Sequence, residues 1–199
     1  MVAIRHSPDR VLDAARDCVL QVGVRRTTLT DVARRAGTSR MTLYRRYPDV
    51  SALVADLMTR EFGSVLERAR GAGDGLVTAR ERAVAEVVAA VRALRGNRLF
   101  VKVLEVDPEL LLPYVLERLG STQRLALALF ESVLEEGYTD GSVRRGEPAA
   151  MAYALLLTVQ SFVLSMRTVV DGSGEDVMYA ELRHLLATSL RPDEEGRGG

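Results

Sequence analysis

TTLTDVARRAGTSRMTLYRRYPDVSALV, residues 27–54, is the stretch whose reading decides the fold. Thr28 and Asp31 stand three apart, the spacing of a capping box with Asp in place of Glu, so a helix starts at Leu29. Val32, Ala33 and Ala36 give that helix one apolar face, and Gly37 permits a tight turn because glycine reaches positive φ at little cost. Ser39 then caps a second short helix, from Arg40 to Tyr47. Pro48 breaks it, and Asp49 caps a long fourth helix over about 50–69. Helix, short turn and helix at this spacing form a helix-turn-helix. In the second helix Leu43 and Tyr47, four apart, face inward. The remaining positions are Arg40, Met41, Thr42, Tyr44, Arg45 and Arg46. Their cations and hydroxyls are the donors that phosphates and base edges accept. The free N–H groups at the Thr28 and Ser39 helix starts suit phosphate oxygens as well. The bland alternative is a solvated basic helix on a bundle.

Working outward, the preceding segment 8–22 reads as a helix with a stripe of Val11, Leu12, Ala15, Cys18, Val19 and Val22; Ser7 caps it and Gly23 ends it. Downstream, helical periodicity continues almost to the end and strand signals are nearly absent. Gly71–Gly75 reads as a loop, followed by helices over about 76–95 and 99–106. Another opens at Asp107-Pro108 and kinks at Pro113; the next runs from about 121 to 136, with a loop over 137–146. Two last helices, about 148–170 and 176–190, flank Asp171–Gly174, and the tail from Arg191 reads as disordered. The fold class expected is all-α, with about nine or ten helices. Residues 1–49 form a three-helix helix-turn-helix domain, 50–190 a helical ligand-sensing and dimerisation domain, and 191–199 a disordered tail.

The net charge is zero, which alone argues against a nucleic-acid partner. Its distribution argues the other way. Residues 1–60 hold eleven Arg against six Asp, and within 25–47 seven Arg face a single acid, Asp31. A basic segment on a mildly acidic body is a local electrostatic footprint for DNA. One cysteine excludes an internal disulfide and a Cys-based zinc site, and reads as a buried thiol; the two histidines lie at opposite ends, so no metal or cofactor is expected. No nucleophile–base pair or phosphate loop marks an enzyme. The start, MVAIRHSPDR, lacks the apolar stretch of a signal peptide, which points to the cytoplasm. The uncharged run 148–166 nears the length of a bilayer span, but its Tyr153, Thr158, Gln160, Ser161 and Ser165 fit a buried core or interface helix.

These residues resemble the N-terminal signature of TetR-type regulators. The matches are Thr27-Thr28, Val32-Ala33, Ala36-Gly37, Thr38-Ser39, Thr42-Leu43-Tyr44 and Tyr47, within a similarity that covers about 50 residues from 8 to 57. The C-terminal part is similar in helix layout and in the short stretch Gly141–Arg144. The resemblance implies Thr28 and Thr30 near phosphates, with Thr38 and Ser39 at the start of the recognition helix. Arg40, Met41 and Thr42 would face base edges, joined by Arg45; Tyr44 and Arg46 would meet phosphate, and Arg5 and His6 would reach the DNA backbone from the N-terminal arm. One departure stands out: Val50 occupies the position where the family usually carries a phosphate-gripping Lys.

A recognition helix alone reads few base pairs, so a homodimer on a palindromic operator is expected. Ala150, Ala154, Thr158, Ser161 and Ser165 form a stripe of small residues on one helix; Met178, Leu182 and Leu185, with Leu186 beside them, form a face on the next. Doubled by symmetry, the pair makes a four-helix bundle, and the resemblance points to the same two helices. The resemblance also implies a small-molecule effector among the middle helices. Phe100, Leu104, Tyr114, Phe130, Tyr153, Gln160, Phe162 and Met166 are the residues available to line its pocket, which suits an apolar or amphipathic ligand. The function expected is therefore a transcriptional regulator, a repressor released from its operator by that ligand. The alternative is a DNA-bound regulator controlled by a protein partner or by abundance.

Overall fold

A computed structural model describes residues 8–169 and 174–193 of the chain. Ser7, the arm residues Arg5 and His6, most of the 171–174 loop and the tail beyond Asp193 lie outside the described residues. Ten α-helices and no strand occur among them: α1 (Pro8–Val22), α2 (Leu29–Ala36), α3 (Arg40–Arg46), α4 (Val50–Ala69), α5 (Ala79–Arg95), α6 (Arg98–Val106), α7 (Leu112–Leu116), α8 (Ser121–Thr139), α9 (Pro148–Val169) and α10 (Glu175–Ser189). The fold is all-α with an N-terminal helix-turn-helix, as the periodicity predicts. Its packing divides into two units. The first takes the chain to Gly63 together with Gly96–Thr122; the second takes Ser64–Arg95 and the chain from Gln123 onward. Unit membership therefore does not follow chain order, because α6 and α7 return to the first unit.

The first unit is built on the stripe of α1. Val11, Leu12, Ala15, Cys18 and Val19 are buried against Leu29, Val32, Ala33 and Ala36 of α2 and Leu43 of α3, with Leu53 and Leu57 of α4 and Leu99 and Val103 of α6 closing the same core. Burial pushes the Cys18 thiol up from its ordinary pKa, as expected of a packing residue without a partner base. Beyond α6 the sequence suggests one kinked helix, but the chain forms a 3₁₀ turn, Pro108–Leu111, and restarts as α7. Pro113 explains the break: its ring has no N–H and would strike the carbonyl four residues back, so it is accepted only in a helix's first turn.

In the second unit the Thr78–Glu81 box starts α5, with Thr78 N–H and Oγ1 donating to Glu81 Oε2 at 3.2 and 2.9 Å and Glu81 N–H returning to Thr78 Oγ1 at 3.2 Å. α5 packs on α9 and α10, burying Val84, Val88 and Val91 with Leu155, Leu156, Val163, Met166, Leu182 and Leu186. Exposed ties reinforce α5 on α10: Arg92 Nη2 meets Asp176 Oδ1 at 2.6 Å, and its guanidinium stands 4.2 Å over the ring of Tyr179. α9 is long and apolar enough to cross a membrane by length and composition, with a third of that stretch buried inside the protein.

The sequence also suggests that α8 stops at Glu136, before Gly137. The helix instead runs through Gly137 to Thr139. Gly137 is there for space: a Cβ would stand 2.7 Å from Val143 Cβ and closer still to Val143 Cγ2. Val143 is buried and its N–H donates to Gly137 O at 3.1 Å, so it has little room to retreat. Gly137→Ala is expected to destabilise the chain by about 1–3 kcal/mol through overpacking, although alanine is the better helix former. Chemical denaturation reads this directly, and a stabilised variant would mean that Val143 yields.

Candidate nucleic-acid interface

α2 is fixed at both ends by its own sequence. Thr28 caps it, its Oγ1 accepting from Asp31 N–H at 3.1 Å, and Gly37 closes it at φ +64°, its N–H reaching back to the last carbonyls. Asp31, the single acid of the basic stretch, is committed within this cap: Thr28 Oγ1 donates to its Oδ2 at 2.6 Å, and Arg34 Nη2 to its Oδ1 at 3.2 Å. The Thr28 hydroxyl first, then Arg34, hold its carboxyl below the usual carboxylate range. Ser39 caps α3, its Oγ accepting from Thr42 N–H at 3.0 Å and lying 2.7 Å from Thr42 Oγ1.

α3 is seated by two side chains. Leu43 and Tyr47 are buried, and Tyr47 Oη donates to Asp56 Oδ2 of α4 at 3.1 Å. Burial, then that bond to Asp56, raises the phenol's pKa. Asp49 Oδ1 accepts from Ala52 N–H at 2.8 Å and starts α4 as expected.

Everything else on α3 is exposed. Arg40, Met41, Thr42, Tyr44, Arg45 and Arg46 all face solvent, Met41 at 79% and Tyr44 at 51% exposure. Thr28 and Ser39 are exposed, and Thr30 and Thr38 half-buried, along the same two helix starts. Arg16, Arg25, Arg34, Arg35 and Arg60 of this unit are in ion pairs. Among the described residues no carboxylate pairs with Arg40, Arg45 or Arg46 of α3, nor with Arg10, Arg26, Arg98 or Arg118 elsewhere in the unit. Arg46 lies 5.2 Å over its neighbour Tyr47. The result is a two-helix element, capped at both helix starts, that presents the Arg40, Arg45 and Arg46 guanidiniums and the Tyr44 phenol to solvent, Arg46 stacked on Tyr47. Val50, half-buried, packs against the first unit's core, so it serves as a packing residue.

The residues expected to line an effector pocket divide between the two units. Phe100, Leu104 and Tyr114 belong to the first unit, and Phe100 is buried. Phe130, Tyr153, Gln160, Phe162 and Met166 belong to the second; Phe130 and Met166 are buried there, and Gln160 Oε1 accepts from Gln123 Nε2 at 2.7 Å. Tyr153 is 47% exposed on the outer face of α9. The second unit has a concavity of about 330 Å³ between α5 and α10, lined by Arg92, Asp176, Tyr179 and Arg183 over small apolar residues, and none of the eight contributes to it.

Of the residues expected at a dimer face, Ala150, Ala154, Ser161 and Ser165 are exposed, Thr158 and Met178 half-buried, and Leu185 exposed. Leu182 and Leu186 turn the other way, into the second unit's own core. The periodicity of α10 marks an apolar face without saying which body covers it. The exposed apolar residues accompanying the stripe are Leu157 on α9 and Val177 on α10.

Comparison with known proteins agrees with this geometry. Residues 11–57 match the family described as bacterial regulatory proteins, tetR family. An uncharacterized HTH-type transcriptional regulator of Mycobacterium tuberculosis is 37% identical over 177 residues, which is 89% of this chain and 90% of the relative. Among solved structures, the TetR-family transcriptional repressor QsdR of R. erythropolis superposes with a TM-score of 0.66 at 16% identity, over 94% of this chain and 97% of that one. The regulator FadR of Bacillus subtilis, in complex with stearoyl-CoA, superposes with a TM-score of 0.60 at 17% identity, over 92% and 99%.

Proposed function

Because the chain belongs to the TetR family of bacterial transcriptional regulators, we propose that it is a cytoplasmic repressor that binds a palindromic operator as a homodimer and is released by a small apolar or amphipathic ligand. The observation that carries the DNA-reading part is the exposed, acid-free set of cations and hydroxyls on α3. Arg40, Met41, Thr42 and Arg45 read base edges; Tyr44, Arg46, Thr28, Thr30, Thr38 and Ser39 hold phosphates and the helix register. Residues 1–49 form the reader and 50–190 the regulatory and dimerising part. Dimerisation is supported by the exposed small-residue stripe of α9 and the exposed Leu185 of α10. The ligand is supported by the stearoyl-CoA complex of the Bacillus subtilis neighbour, and an acyl thioester is the first chemistry to screen.

The test is titration of the purified protein with duplex DNA from upstream of its own gene, against scrambled DNA, at two salt concentrations. Site-specific binding that weakens steeply with salt is expected. Arg40→Ala is expected to cost about 1–3 kcal/mol of operator affinity and to relax specificity at one base pair. Tyr44→Phe is expected to weaken all sequences evenly, by about 1 kcal/mol. Binding that ignores sequence would point away from an operator and toward control through a protein partner.

A further inference from the structure

We propose that Asp107 is a positioning residue for DNA reading: its buried carboxylate, at the end of α6, holds the turn between α1 and α2 and so sets the aim of the recognition helix. The inference rests on the DNA-reading function above.

The turn leaves α1 at Gly23 and reaches the α2 cap at Thr28. Val24, within it, is buried, so its N–H has no access to water and needs a protein acceptor. That acceptor comes from 83 residues away: Asp107 Oδ2, at 2.7 Å. Gly23 makes room for it. A Cβ at Gly23 would stand 2.9 Å from that same oxygen and 2.9 Å from Val106 Cγ1, and Gly23 also sits at φ +81°. The glycine is thus both a left-handed helix terminator and a notch that admits the carboxylate. Arg25 closes the outer side, its Nε 2.6 Å from Glu109 Oε1 and 3.9 Å from Asp107 Oδ1. From Val24 the order continues inward. Its carbonyl accepts from Thr27 N–H at 3.0 Å, and buried Thr27 donates Oγ1 to Gly23 O at 2.7 Å, one residue before the Thr28 cap.

Asp107 is itself held. It is the C-cap of α6, its N–H donating to Val103 O at 3.0 Å and its carbonyl accepting from Leu110 N–H at 3.1 Å. Leu99 and Val103 of α6 lie inside the helix-turn-helix core. The opposite end of α6 is fastened as well. Asn97 caps it through Oδ1 and gives Nδ2 to Glu61 Oε2 at 3.1 Å, and Glu61 pairs with Arg16 of α1 at 3.2 Å. Apolar packing between α1 and α2 tolerates small rotations, whereas a hydrogen bond to a fixed carboxylate is directional. Asp107 therefore removes a freedom that the packing leaves, and a small change of aim costs base-edge contacts before it costs phosphate contacts.

The experiment compares wild type with Asp107→Ala and Asp107→Asn on operator and random duplex, at a temperature where circular dichroism shows each folded, with amide exchange at Val24 followed in parallel. For Asp107→Ala we expect operator affinity to fall at least about tenfold while random-duplex affinity stays within about threefold. Val24 should exchange faster while the amides of Leu53 and Leu57 keep their protection. Asp107→Asn retains an acceptor oxygen and should stay within about threefold of wild type on operator. A merely structural carboxylate would lower stability and leave the ratio of operator to random binding unchanged. A folded Asp107→Ala that binds operator as tightly as wild type overturns the proposal. Should Asp107→Ala fail to fold, Asp107→Ser decides, because its shorter polar side chain withdraws the acceptor from Val24 without touching the turn: operator affinity equal to wild type overturns the proposal, and a selective loss upholds it. Wild type without site-specific binding would remove the DNA-reading function itself, and this inference with it.

Discussion

Leu43→Ala is expected to destabilise the chain by about 2–5 kcal/mol and to remove operator binding even where the variant remains folded. Leu43 is 2% exposed and is the buried residue within α3 itself. A seven-residue helix is marginal in isolation, so α3 exists because it is anchored. Its anchors are the Ser39 cap, the Tyr47–Asp56 bond just past its end, and Leu43 at its centre. Truncating Leu43 leaves a cavity beneath the reading surface and frees the helix to rock on its two ends. The loss in binding should therefore exceed what the unfolded fraction accounts for. Urea denaturation gives the stability change, and operator titration well below the midpoint gives the rest. Leu43→Met, which conserves volume, should cost less than about 1.5 kcal/mol and keep binding. A folded Leu43→Ala with wild-type affinity would mean that the cap and Tyr47 alone seat the helix.

That argument needs little beyond residues 27–54, and the reason is local. Caps, αL glycines and an inward pair four apart are short-range effects, so Thr28, Gly37, Ser39, Leu43 and Asp49 declare their roles in sequence. Long-range packing does not. Leu99 and Val103 announce a buried face on α6, but periodicity is silent on which core receives it, and the answer is the helix-turn-helix. Leu182 and Leu186 read equally well as a face for a partner copy or for the chain's own interior, and they fill the interior. Gly137 looks like a helix end because glycine usually is one; the need for space against Val143, six residues on, leaves no local trace. The bond from Asp107 to Val24 is the extreme case, since an acid before a proline reads simply as a helix start.

Leu157→Glu is expected to turn the proposed dimer into a monomer and to lower operator affinity by at least about a hundredfold, without unfolding the chain. Leu157 is 64% exposed, so a carboxylate there meets water in the isolated chain and costs little. Tyr153 is 47% exposed one turn earlier, and the exposed Ala150, Ala154 and Ser161 give a partner helix close approach. In a two-fold interface the same patch meets itself, so one substitution places two like charges across a desolvated seam. Each recognition helix would then engage its half-site alone and lose the gain of a tethered second contact. Sedimentation velocity reads the mass, and titration on full and half operators reads the affinity. A monomer whose full-site affinity falls to its half-site affinity ties dimerisation to this face. A variant that remains dimeric would move the interface elsewhere, with Val177 and Leu185 of α10, 62% and 48% exposed, the next residues to charge. The two outcomes separate cleanly because Leu157 is not part of the core, so a change in mass reports the seam and not the fold.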